Sequence, residues 1–457
     1  MLRISVLVLG ALLALPAIAQ SPVPGDSEIR ALLEQRIDVE RQSVGIVVGV
    51  IEPQGTRVVA HGTFATDDPR PVGGGTLFEI GSITKVFTGL LLAEAVERGE
   101  VRLDQPVAEL LPDGVEVPGR DGEQITLEHL ATHRSGLPRM PGNFDPADPA
   151  DPFADYTAED LYAFLAGYEL TRDIDEAYEY SNLGSGLLGH ALAEAAGVDY
   201  ETLLHERILE PLGMTDTVIT LPEDLARRHA TGHDATMQPV QNWNLDVLAG
   251  AGALRSTVAD LLKFLAAAMD YDETELAAAF ALSTTPRADA DVGRIGLGWI
   301  LTPFGDDELV WHNGGTGGFR SFAGYLRNAR VGVVVLSNMG TEIGVDDIGR
   351  HLLDPSSPLA PPPVERTEID LDPAIYDGYE GVYELAPGFT LTITRQGDGL
   401  YAQATGQERF PIFPESETEF FFRMINAQIT FETGDDGRAN ALILHQRGLD
   451  MRAPRVE

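Results

Sequence analysis

A serine and a lysine one helical turn apart are the first candidates for chemistry in this chain of 457 residues. Helical spacing of apolar residues runs from Ser82 to Arg98, so Ser82 and Lys85 should share one face near the helix start. Exposed N–H groups at a helix N-terminus favour an alkoxide and penalise an ammonium, and burial lowers the proton affinity of a lysine further. The pair is therefore a candidate nucleophile with its general base.

The Ser-x-x-Lys spacing alone is a weak signal, because a capped helix with a solvated lysine produces the same pattern. The surroundings of this pair are apolar, however, and include Phe78, Ile80 and Phe87. Apolar neighbours argue against a solvated lysine. Lysine is also rare in this chain, in which Lys85 and Lys263 are the only two.

Two further motifs occur once each and carry polar groups that a serine nucleophile could use. Tyr180-Ser181-Asn182 is the only Tyr-x-Asn, and His312-Asn313-Gly314 is the only His-x-Gly. A core position for the tyrosine ring is the alternative interpretation of the first motif. The glycine-rich stretch 314–318 lacks the Gly-Lys-Ser/Thr of a phosphate loop, so nucleotide binding is not predicted.

These three motifs, in this order, resemble those of the penicillin-recognising serine hydrolases, which include class C β-lactamases, DD-peptidases and their esterase relatives. Segments 129–138, 211–217 and 250–257 also look like recurring segments of that family. The resemblance covers roughly residues 28–350. The C-terminal part of the chain is similar to a small β-rich domain that is often appended to these hydrolases.

The resemblance implies an acyl-enzyme mechanism that needs no cofactor and no metal. Ser82 would be the acylated nucleophile, and Lys85 and Tyr180 would share the transfer of its proton to the leaving group. Asn182 would help to hold the amide of the substrate. The backbone N–H groups of Ser82 and Gly315 would form the oxyanion hole, because a glycine leaves room for close approach.

The third motif departs from the Lys-Thr-Gly that is typical of β-lactamases, since His312 with Gly314 stands in its place. Histidine has an ordinary pKa of about 6.5, so it is a weaker anchor for a substrate carboxylate than lysine. Relatives with His-x-Gly include esterases and D-amino-acid peptidases. The expected substrate is an amide or ester, namely a β-lactam, a D-alanyl peptide or a small ester.

Two alternatives to this interpretation follow from the same residues. One is a carboxylesterase or D-amino-acid peptidase with little β-lactamase activity. The other, from a different functional class, is an inactive ligand-binding or sensing module with the same fold. The intact set of Ser82, Lys85, Tyr180 and Asn182 argues against the module, which has no need of a nucleophile and its base.

Two pairs of histidines have a spacing that could bind a metal. His129 and His133, and likewise His229 and His233, are four residues apart, which on a helix brings two imidazoles together. No His-Glu-x-x-His is present, the sequence indicates no third ligand, and the chain contains no cysteine. We therefore expect neither a metal nor another cofactor.

The elements that must position these residues indicate an α+β fold. Strand patterns at both ends of the first 350 residues enclose helical patterns, which predicts one sheet assembled from distant parts of the chain. The resemblance adds that the sheet is antiparallel and flanked by helices, with an all-helical subdomain beside it. The strand patterns are Ser43–Ile51, Arg57–Ala60, Leu297–Leu301, Phe319–Leu326 and Val331–Ser337, and the later helix patterns are Leu183–Ala196 and Thr257–Met269.

The order of these patterns predicts four parts of the chain. Residues 1–19 read as a signal peptide, 20–354 as the serine hydrolase domain, 355–364 as a proline-rich linker and 365–457 as a small antiparallel β barrel or sandwich. Asp-Pro pairs recur between Asp145 and Pro152, which predicts an extended acidic loop. We favour a plain surface insertion over a substrate rim for that loop.

Charge and the N-terminal pattern restrict the partners and the compartment. A formal net charge of −39 argues against nucleic acid as a partner. Arg3, the apolar run Ile4–Leu15 and the small residues Ala17 and Ala19 have the form of a secretory signal, and no later apolar run is long enough to span a membrane. We expect a bacterial protein exported to the periplasm or secreted, a monomer without a stable membrane anchor, acting on a small-molecule or peptide substrate.

Overall fold

The structure is a computed structural model that describes residues 23–362, 366–386, 388–405, 409–423, 427–434, 436–446 and 449–456. The predicted signal peptide, residues 1–19, lies outside the described residues. Within the described ranges the α-helices are α1 (Asp26–Glu34), α2 (Thr84–Glu97), α3 (Leu127–Ala131), α4 (Ala158–Gly167), α5 (Asn182–Ala196), α6 (Tyr200–Leu204), α7 (Glu223–Ala226), α8 (Val258–Ala268), α9 (Ala277–Ser283) and α10 (Asp346–Leu353).

The strands form two large sheets and two small pairs. In the same described ranges they are β1 (Gly45–Glu52), β2 (Gly55–Gly62), β3 (Leu77–Glu79), β4 (Gly119–Arg120), β5 (Glu123–Gln124), β6 (Arg255–Thr257), β7 (Ala288–Ala290), β8 (Gly293–Ile295), β9 (Ile300–Phe304), β10 (Asp307–Gly315), β11 (Arg320–Leu326), β12 (Val331–Ser337), β13 (Gly381–Ala386), β14 (Phe389–Gln396), β15 (Gly399–Ala404), β16 (Arg409–Pro414), β17 (Glu419–Phe421), β18 (Ala427–Thr433), β19 (Ala439–Gln446) and β20 (Leu449–Pro454).

The first large sheet joins the two ends of the hydrolase region. Its strand order is β2-β1-β12-β11-β10-β9-β8-β7, and every neighbouring pair is antiparallel. In the pairing of β1 with β12, Val48 lies opposite Val335. The predicted α+β class, with an antiparallel sheet built from distant parts of the chain, is confirmed.

Helices cover both faces of this sheet. Every residue of β1 is buried, with Val47 in the core on one face and Val48 in the core on the other. Helix α8 packs against β1 and β12, and α10 packs against β11 and β12. This two-sided burial explains why β1 has a continuous apolar run instead of an alternating pattern.

The helix that follows the candidate nucleophile is buried on nearly all sides. Twelve of the 14 residues of α2 are buried, and α2 contacts α3, α5, α6 and α9. The ring of Phe87 stacks on that of Phe264 with centroids 4.1 Å apart. The predicted helix start at Ser82 was two residues early, because α2 begins at Thr84 and Ser82 lies in a 3₁₀ turn, Gly81–Ile83.

The second large sheet is a meander in which β13 to β20 lie in chain order. Its ends approach each other, since the N–H of Val456 donates to the carbonyl oxygen of Val382 over 2.8 Å. Tyr379 and Phe431 stack in its core with ring centroids 4.3 Å apart. The sheet is therefore a nearly closed barrel, which decides between the predicted barrel and sandwich. The predicted domain ranges 20–354, 355–364 and 365–457 stay predictions.

Candidate active site

Ser82 lies in the 3₁₀ turn between β3 and α2, against the end of β10. The preceding Gly81 has a φ of +50°, and a Cβ on it would lie 2.7 Å from the backbone nitrogen of Gly315. Only glycine allows this approach of two backbones. Beside it, the hydroxyl of Ser321 on β11 donates to the carbonyl oxygen of Ile80 over 2.8 Å. The turn that carries Ser82 thus packs against the end of β10, which carries the third motif, and is hydrogen-bonded to the neighbouring strand β11.

The amine of Lys85 has three hydrogen-bonding partners and is buried. Its Nζ lies 3.0 Å from Ser82 Oγ, 2.9 Å from Asn182 Oδ1 and 2.7 Å from the carbonyl oxygen of Ala251. Burial, with a smaller contribution from the charge of Arg139, holds the pKa of Lys85 well below its usual value of 10.5.

The identities of these partners determine what the neutral amine can do. A neutral amine has two N–H donors and one lone pair. The oxygens of Asn182 and Ala251 can only accept, so they take the two N–H groups. The lone pair of Lys85 is then left for the hydroxyl of Ser82, which can donate its proton. This is the arrangement that a general base needs.

Tyr180 lies next to both the amine of Lys85 and the hydroxyl of Ser82. Its ring centroid is 4.9 Å from Lys85 Nζ. Burial raises the pKa of Tyr180 to about 12, against the opposing effects of a hydrogen bond with Ser82 and the charge of Arg139. The phenol is therefore protonated at neutral pH. Of the two groups, the amine of Lys85 is the better candidate for the base. Tyr180 can pass a proton but does not begin as an anion.

Asn182 is held in place by the start of α5. The hydroxyl of the capping residue Ser181 accepts from the N–H of Gly184 over 2.8 Å and donates to the carbonyl oxygen of Pro138 over 2.7 Å. The side-chain nitrogen of Asn182 lies 3.7 Å from the sulfur of Met140. The carbonyl end of Asn182 thus binds Lys85, and its amide end is directed away from that amine.

The third motif lies on a strand that the sequence analysis did not predict. β10 places Gly314 so close to the nucleophile turn that a Cβ would lie 2.0 Å from the carbonyl oxygen of Ile80. His312 is buried, and its Nδ1 lies 2.5 Å from the carbonyl oxygen of Asn313, so Nδ1 carries the proton. Burial, then the charge of Lys85, lowers the pKa of His312 to about 3.

A small pocket of about 30 Å³ opens beside the nucleophile. Of the residues predicted for the site, Ser82, Asn182 and Gly315 line this pocket. His312 is not among the described lining residues, and its ring centroid is 6.4 Å from that of Tyr180. The structure therefore brings together Ser82, Lys85, Tyr180, Asn182, Gly314 and Gly315, with the ring of His312 buried next to them.

The acidic segment 140–156 forms one wall of this pocket. Phe153 lines the pocket and packs against Trp243, with ring centroids 5.3 Å apart. Asp151 accepts hydrogen bonds of 2.7 Å from both the backbone and the side-chain nitrogen of Asn244. The expectation of a plain surface insertion was wrong. Sequence reasoning missed Phe153 and Trp243. The only sequence signal for them is that each of the two loops contains an aromatic residue.

The histidine pairs have other partners. His129 Nδ1 accepts from the N–H of Thr126 over 3.2 Å, and His133 Nδ1 accepts from the N–H of Ser181 over 3.2 Å. His233 Nδ1 lies 3.1 Å from the carbonyl oxygen of Asn338. In the described part of the chain, no group of three or more histidine, aspartate or glutamate residues is arranged to hold a metal ion.

Comparison with known protein families gives two matches. The β-lactamase family profile matches residues 28–354, and the profile of a domain of unknown function (DUF3471) matches residues 365–454. The chain belongs to the β-lactamase family. The family contains serine hydrolases related to β-lactamases and DD-carboxypeptidases, which is the resemblance that the three motifs predicted.

Individual members of the β-lactamase family are similar over long stretches. Penicillin-binding protein 4* of Bacillus subtilis is 27% identical over 442 residues, which are 89% of this chain and 94% of that protein. The D-alanyl-D-alanine-carboxypeptidase/endopeptidase AmpH of Escherichia coli is 30% identical over 281 residues, 57% of this chain and 70% of AmpH.

Solved structures of the family share the fold. A β-lactamase/D-alanine carboxypeptidase from Yersinia pestis superposes with a TM-score of 0.63 at 25% identity, covering 72% of this chain and 99% of its own. A class C β-lactamase from Rhodobacter sphaeroides gives a TM-score of 0.61 at 25% identity, and the match covers 71% of this chain and 97% of that one. None of the helices in the described ranges has the length and apolar character that a membrane span requires.

Proposed function

We propose that this chain hydrolyses an amide or an ester through a covalent acyl-enzyme on Ser82. The observation that carries the proposal is the contact of 3.0 Å between Lys85 Nζ and Ser82 Oγ, in which the other two partners of the amine are acceptors. A buried amine of low pKa next to a hydroxyl is how a serine nucleophile is activated without histidine.

In the acylation step, Ser82 Oγ bonds to the carbonyl carbon of the substrate while its proton passes to Lys85. The electron pair of the C=O bond moves to the oxygen, where the backbone N–H groups of Ser82 and Gly315 stabilise it. Each such donor contributes on the order of 10²–10³-fold in rate, and the base about 10²–10⁴-fold. Collapse of this adduct then breaks the bond to the leaving nitrogen or oxygen.

Tyr180 supplies the proton for that leaving group. The phenol is protonated because its pKa is about 12, and the Lys85 ammonium formed by acylation can restore the proton that the phenol gives away. In deacylation the same groups act in reverse on a water molecule, which attacks the ester carbon and releases Ser82. Asn182 holds the amine of Lys85 through its oxygen and offers its side-chain nitrogen to the substrate.

The substrate classes are those of the related enzymes. A relative is called a D-alanyl-D-alanine-carboxypeptidase and others are called β-lactamases, which supports peptide and β-lactam substrates. Small esters are a further candidate, because the buried neutral His312 provides no cation at the position of the third motif. A carboxylesterase or D-amino-acid peptidase with weak β-lactamase activity is the second candidate on that observation.

A substrate panel tests the proposal. Nitrocefin, a D-alanyl-D-alanine peptide and p-nitrophenyl acetate should include at least one substrate with measurable turnover, and Ser82→Ala should remove that turnover. Ser356→Ala, which changes an exposed serine of the linker, is the matched control and should retain it. Turnover that survives in Ser82→Ala contradicts the proposal. Reversible binding without covalent labelling would favour the ligand-binding module.

We also propose export and a monomeric state, from the N-terminal pattern and the charge of −39. Intact-mass analysis of protein recovered from a bacterial host should find a chain that begins at Gln20, and a retained Met1 would contradict export.

Light scattering during size-exclusion chromatography should give the mass of one chain. A salt-insensitive complex with DNA or RNA would contradict the expected absence of a nucleic-acid partner.

A further inference from the structure

The basic side chains close to the nucleophile differ in whether they can bind an anion. Lys85 is buried and its three positions are occupied by Ser82, Asn182 and Ala251. Arg320, which follows the third motif, donates to the backbone carbonyl oxygens of Thr316, Phe319, Gly340 and Thr341. These contacts engage four of the five N–H donors of its guanidinium, so neither Arg320 nor Lys85 can form a paired contact with a substrate carboxylate without losing a present partner.

Arg139 is exposed and lies against the catalytic tyrosine. Its Cζ is 5.0 Å from the ring centroid of Tyr180. Its backbone carbonyl accepts from the N–H groups of Asn182 and Leu183 over 3.0 and 3.2 Å, so the start of α5 holds the root of the side chain. In the described part of the chain, its guanidinium has no carboxylate partner, whereas the neighbouring Arg134 pairs with Asp175.

Arg139 is also close enough to act on a substrate at Ser82. The Arg139 guanidinium and the Lys85 amine both lie within about 5 Å of the Tyr180 ring centroid, so at most about 10 Å separates them. Burial is the main cause of the lowered pKa values of Lys85 and His133, and the charge of Arg139 adds to it, while the same charge opposes the rise in the pKa of Tyr180. An exposed cation at this distance from Lys85 and Tyr180 is close enough to contact a substrate that is bound at Ser82.

We propose that Arg139 binds a carboxylate of the substrate, so that Ser82 preferentially takes acyl groups from donors that carry a carboxylate near the scissile bond. The planar guanidinium offers paired N–H donors that match the two oxygens of a carboxylate. The proposal rests on the proposed hydrolase function and names its substrate class. It places the anionic contact at the start of α5, next to Tyr180, instead of at His312.

Two features of the site give the competing expectation. The segment 140–156 that begins directly after Arg139 carries Asp145, Asp148, Asp151 and Asp155, and these carboxylates repel an anionic substrate. Arg139 could also serve only to hold the ring of Tyr180. A merely structural role would affect charged and uncharged substrates equally, whereas an anchor affects only those with a carboxylate.

Matched substrate pairs separate these possibilities. On whichever scaffold Ser82 cleaves, the acid is compared with its uncharged form: nitrocefin with its methyl ester, the D-alanyl-D-alanine peptide with its C-terminal amide, or 3-acetoxybenzoic acid with 3-acetoxybenzamide. In all three pairs the carboxylate lies on the side of the leaving group. The readout is the ratio of kcat/KM for the acid to kcat/KM for the uncharged form. A ratio within one enzyme cancels any effect of the substitution on the pKa of Lys85.

We expect the ratio to fall about 10- to 100-fold in Arg139→Ala and Arg139→Gln, with partial retention in Arg139→Lys. Arg409→Ala should leave the ratio unchanged, because Arg409 stacks on Tyr401 at 4.6 Å within the barrel sheet and does not line the pocket beside Ser82. Raising the ionic strength should lower the ratio in the wild type and not in Arg139→Ala.

An unchanged ratio in both Arg139→Ala and Arg139→Gln would overturn the anchor, as would a wild-type preference for the uncharged form. Circular dichroism checks that each variant is folded. If Arg139→Ala does not fold, Arg139→Gln, which keeps much of the side chain, provides the test. The failure of the hydrolase function has a different signature, since turnover of both members of a pair would then persist in Ser82→Ala.

Discussion

The amine of Lys85 lies 3.0 Å from the hydroxyl of Ser82, and the carbonyl oxygens of Asn182 and Ala251 occupy its other two hydrogen-bonding positions. In the neutral amine this directs the lone pair to the serine proton. The arrangement depends on three separate parts of the chain: the 3₁₀ turn before α2, the start of α5 and the turn that precedes β6. Each part can be changed by a separate substitution.

Removal of the Lys85 amine should abolish most of the activity while the protein stays folded. Lys85→Ala should lower kcat about 10²–10⁴-fold, because the hydroxyl of Ser82 loses its base. Lys263→Ala is the matched control, since Lys263 is the other lysine and its exposed side chain pairs with the buried Asp260 of α8. Steady-state kinetics of both variants decide this point. Equal activity of Lys85→Ala and Lys263→Ala would exclude Lys85 as the base.

The pH dependence of kcat/KM should follow the protonation of Lys85. The active form is the neutral amine, so activity is present above the lowered pKa of Lys85 and is lost as the pH falls through it. Tyr180 has a pKa of about 12, so its ionisation causes no loss of activity below about pH 10. His312 has a pKa of about 3, so its protonation causes no change in activity near pH 6.5, the ordinary pKa of histidine.

The control for this profile is His312→Gln. The variant should show the acid limb at the same pH as the wild type, whatever the change in maximal rate. An acid limb near pH 6.5 that disappears in His312→Gln would instead assign the titrating group to the histidine.

The contact between the third motif and the nucleophile turn should not tolerate a methyl group. In Gly314→Ala the new Cβ would lie 2.0 Å from the carbonyl oxygen of Ile80 and 2.4 Å from Ser321 Oγ. We expect a loss of about 1–3 kcal/mol in the free energy of unfolding, with a fall in kcat because the turn that carries Ser82 must move.

The matched control is Gly167→Ala at the end of α4, where nothing lies within 4 Å of the added Cβ. Chemical denaturation and kinetics of the two variants should differ clearly. A Gly314→Ala enzyme with wild-type stability and rate would show that the close contact between β10 and the turn does not hold the nucleophile.

The wall formed by the acidic segment should select among acyl groups. In Phe153→Ala the pocket loses the ring that packs on Trp243. The value of kcat/KM for a phenylacetyl substrate should fall about 2- to 10-fold relative to that for the acetyl analogue. Phe389→Ala, at a residue that is 38% exposed in the barrel, should leave this selectivity unchanged. Equal selectivity in the two variants would remove Phe153 from the acyl site.

Local signals predicted much of the hydrolase fold. Helix α5 was predicted to within one residue because Gly197, with a φ of +72°, ends it, and α8 because Thr257 caps it by accepting from the N–H of Asp260 over 3.1 Å. Strand β10 was not predicted. Its sequence mixes polar and apolar residues and ends in glycines, which is typical of a loop, and only its pairing with β9 and β11 makes it a strand.

The residues of the candidate site also differ in whether local sequence could predict them. Ser82, Lys85, Tyr180 and Asn182 were found from motif spacing, since these groups sit at the starts of helices where local sequence determines position. Arg139 and Phe153 were not, because contacts with residues far away in the chain place them: the start of α5 for Arg139 and Trp243 for Phe153. Hydrogen bonds from Asn244 to Asp151, residues far apart in the chain, leave no local pattern.

Intact-mass spectrometry of the enzyme after reaction with a fluorescent penicillin or a fluorophosphonate tests the central claim most directly. We predict the mass of one covalent adduct, located by peptide mapping at Ser82, and its loss in Ser82→Ala with Ser356→Ala still labelled. Stoichiometric labelling at another residue, or labelling that persists without the Ser82 hydroxyl, would contradict the claim that this serine is the nucleophile.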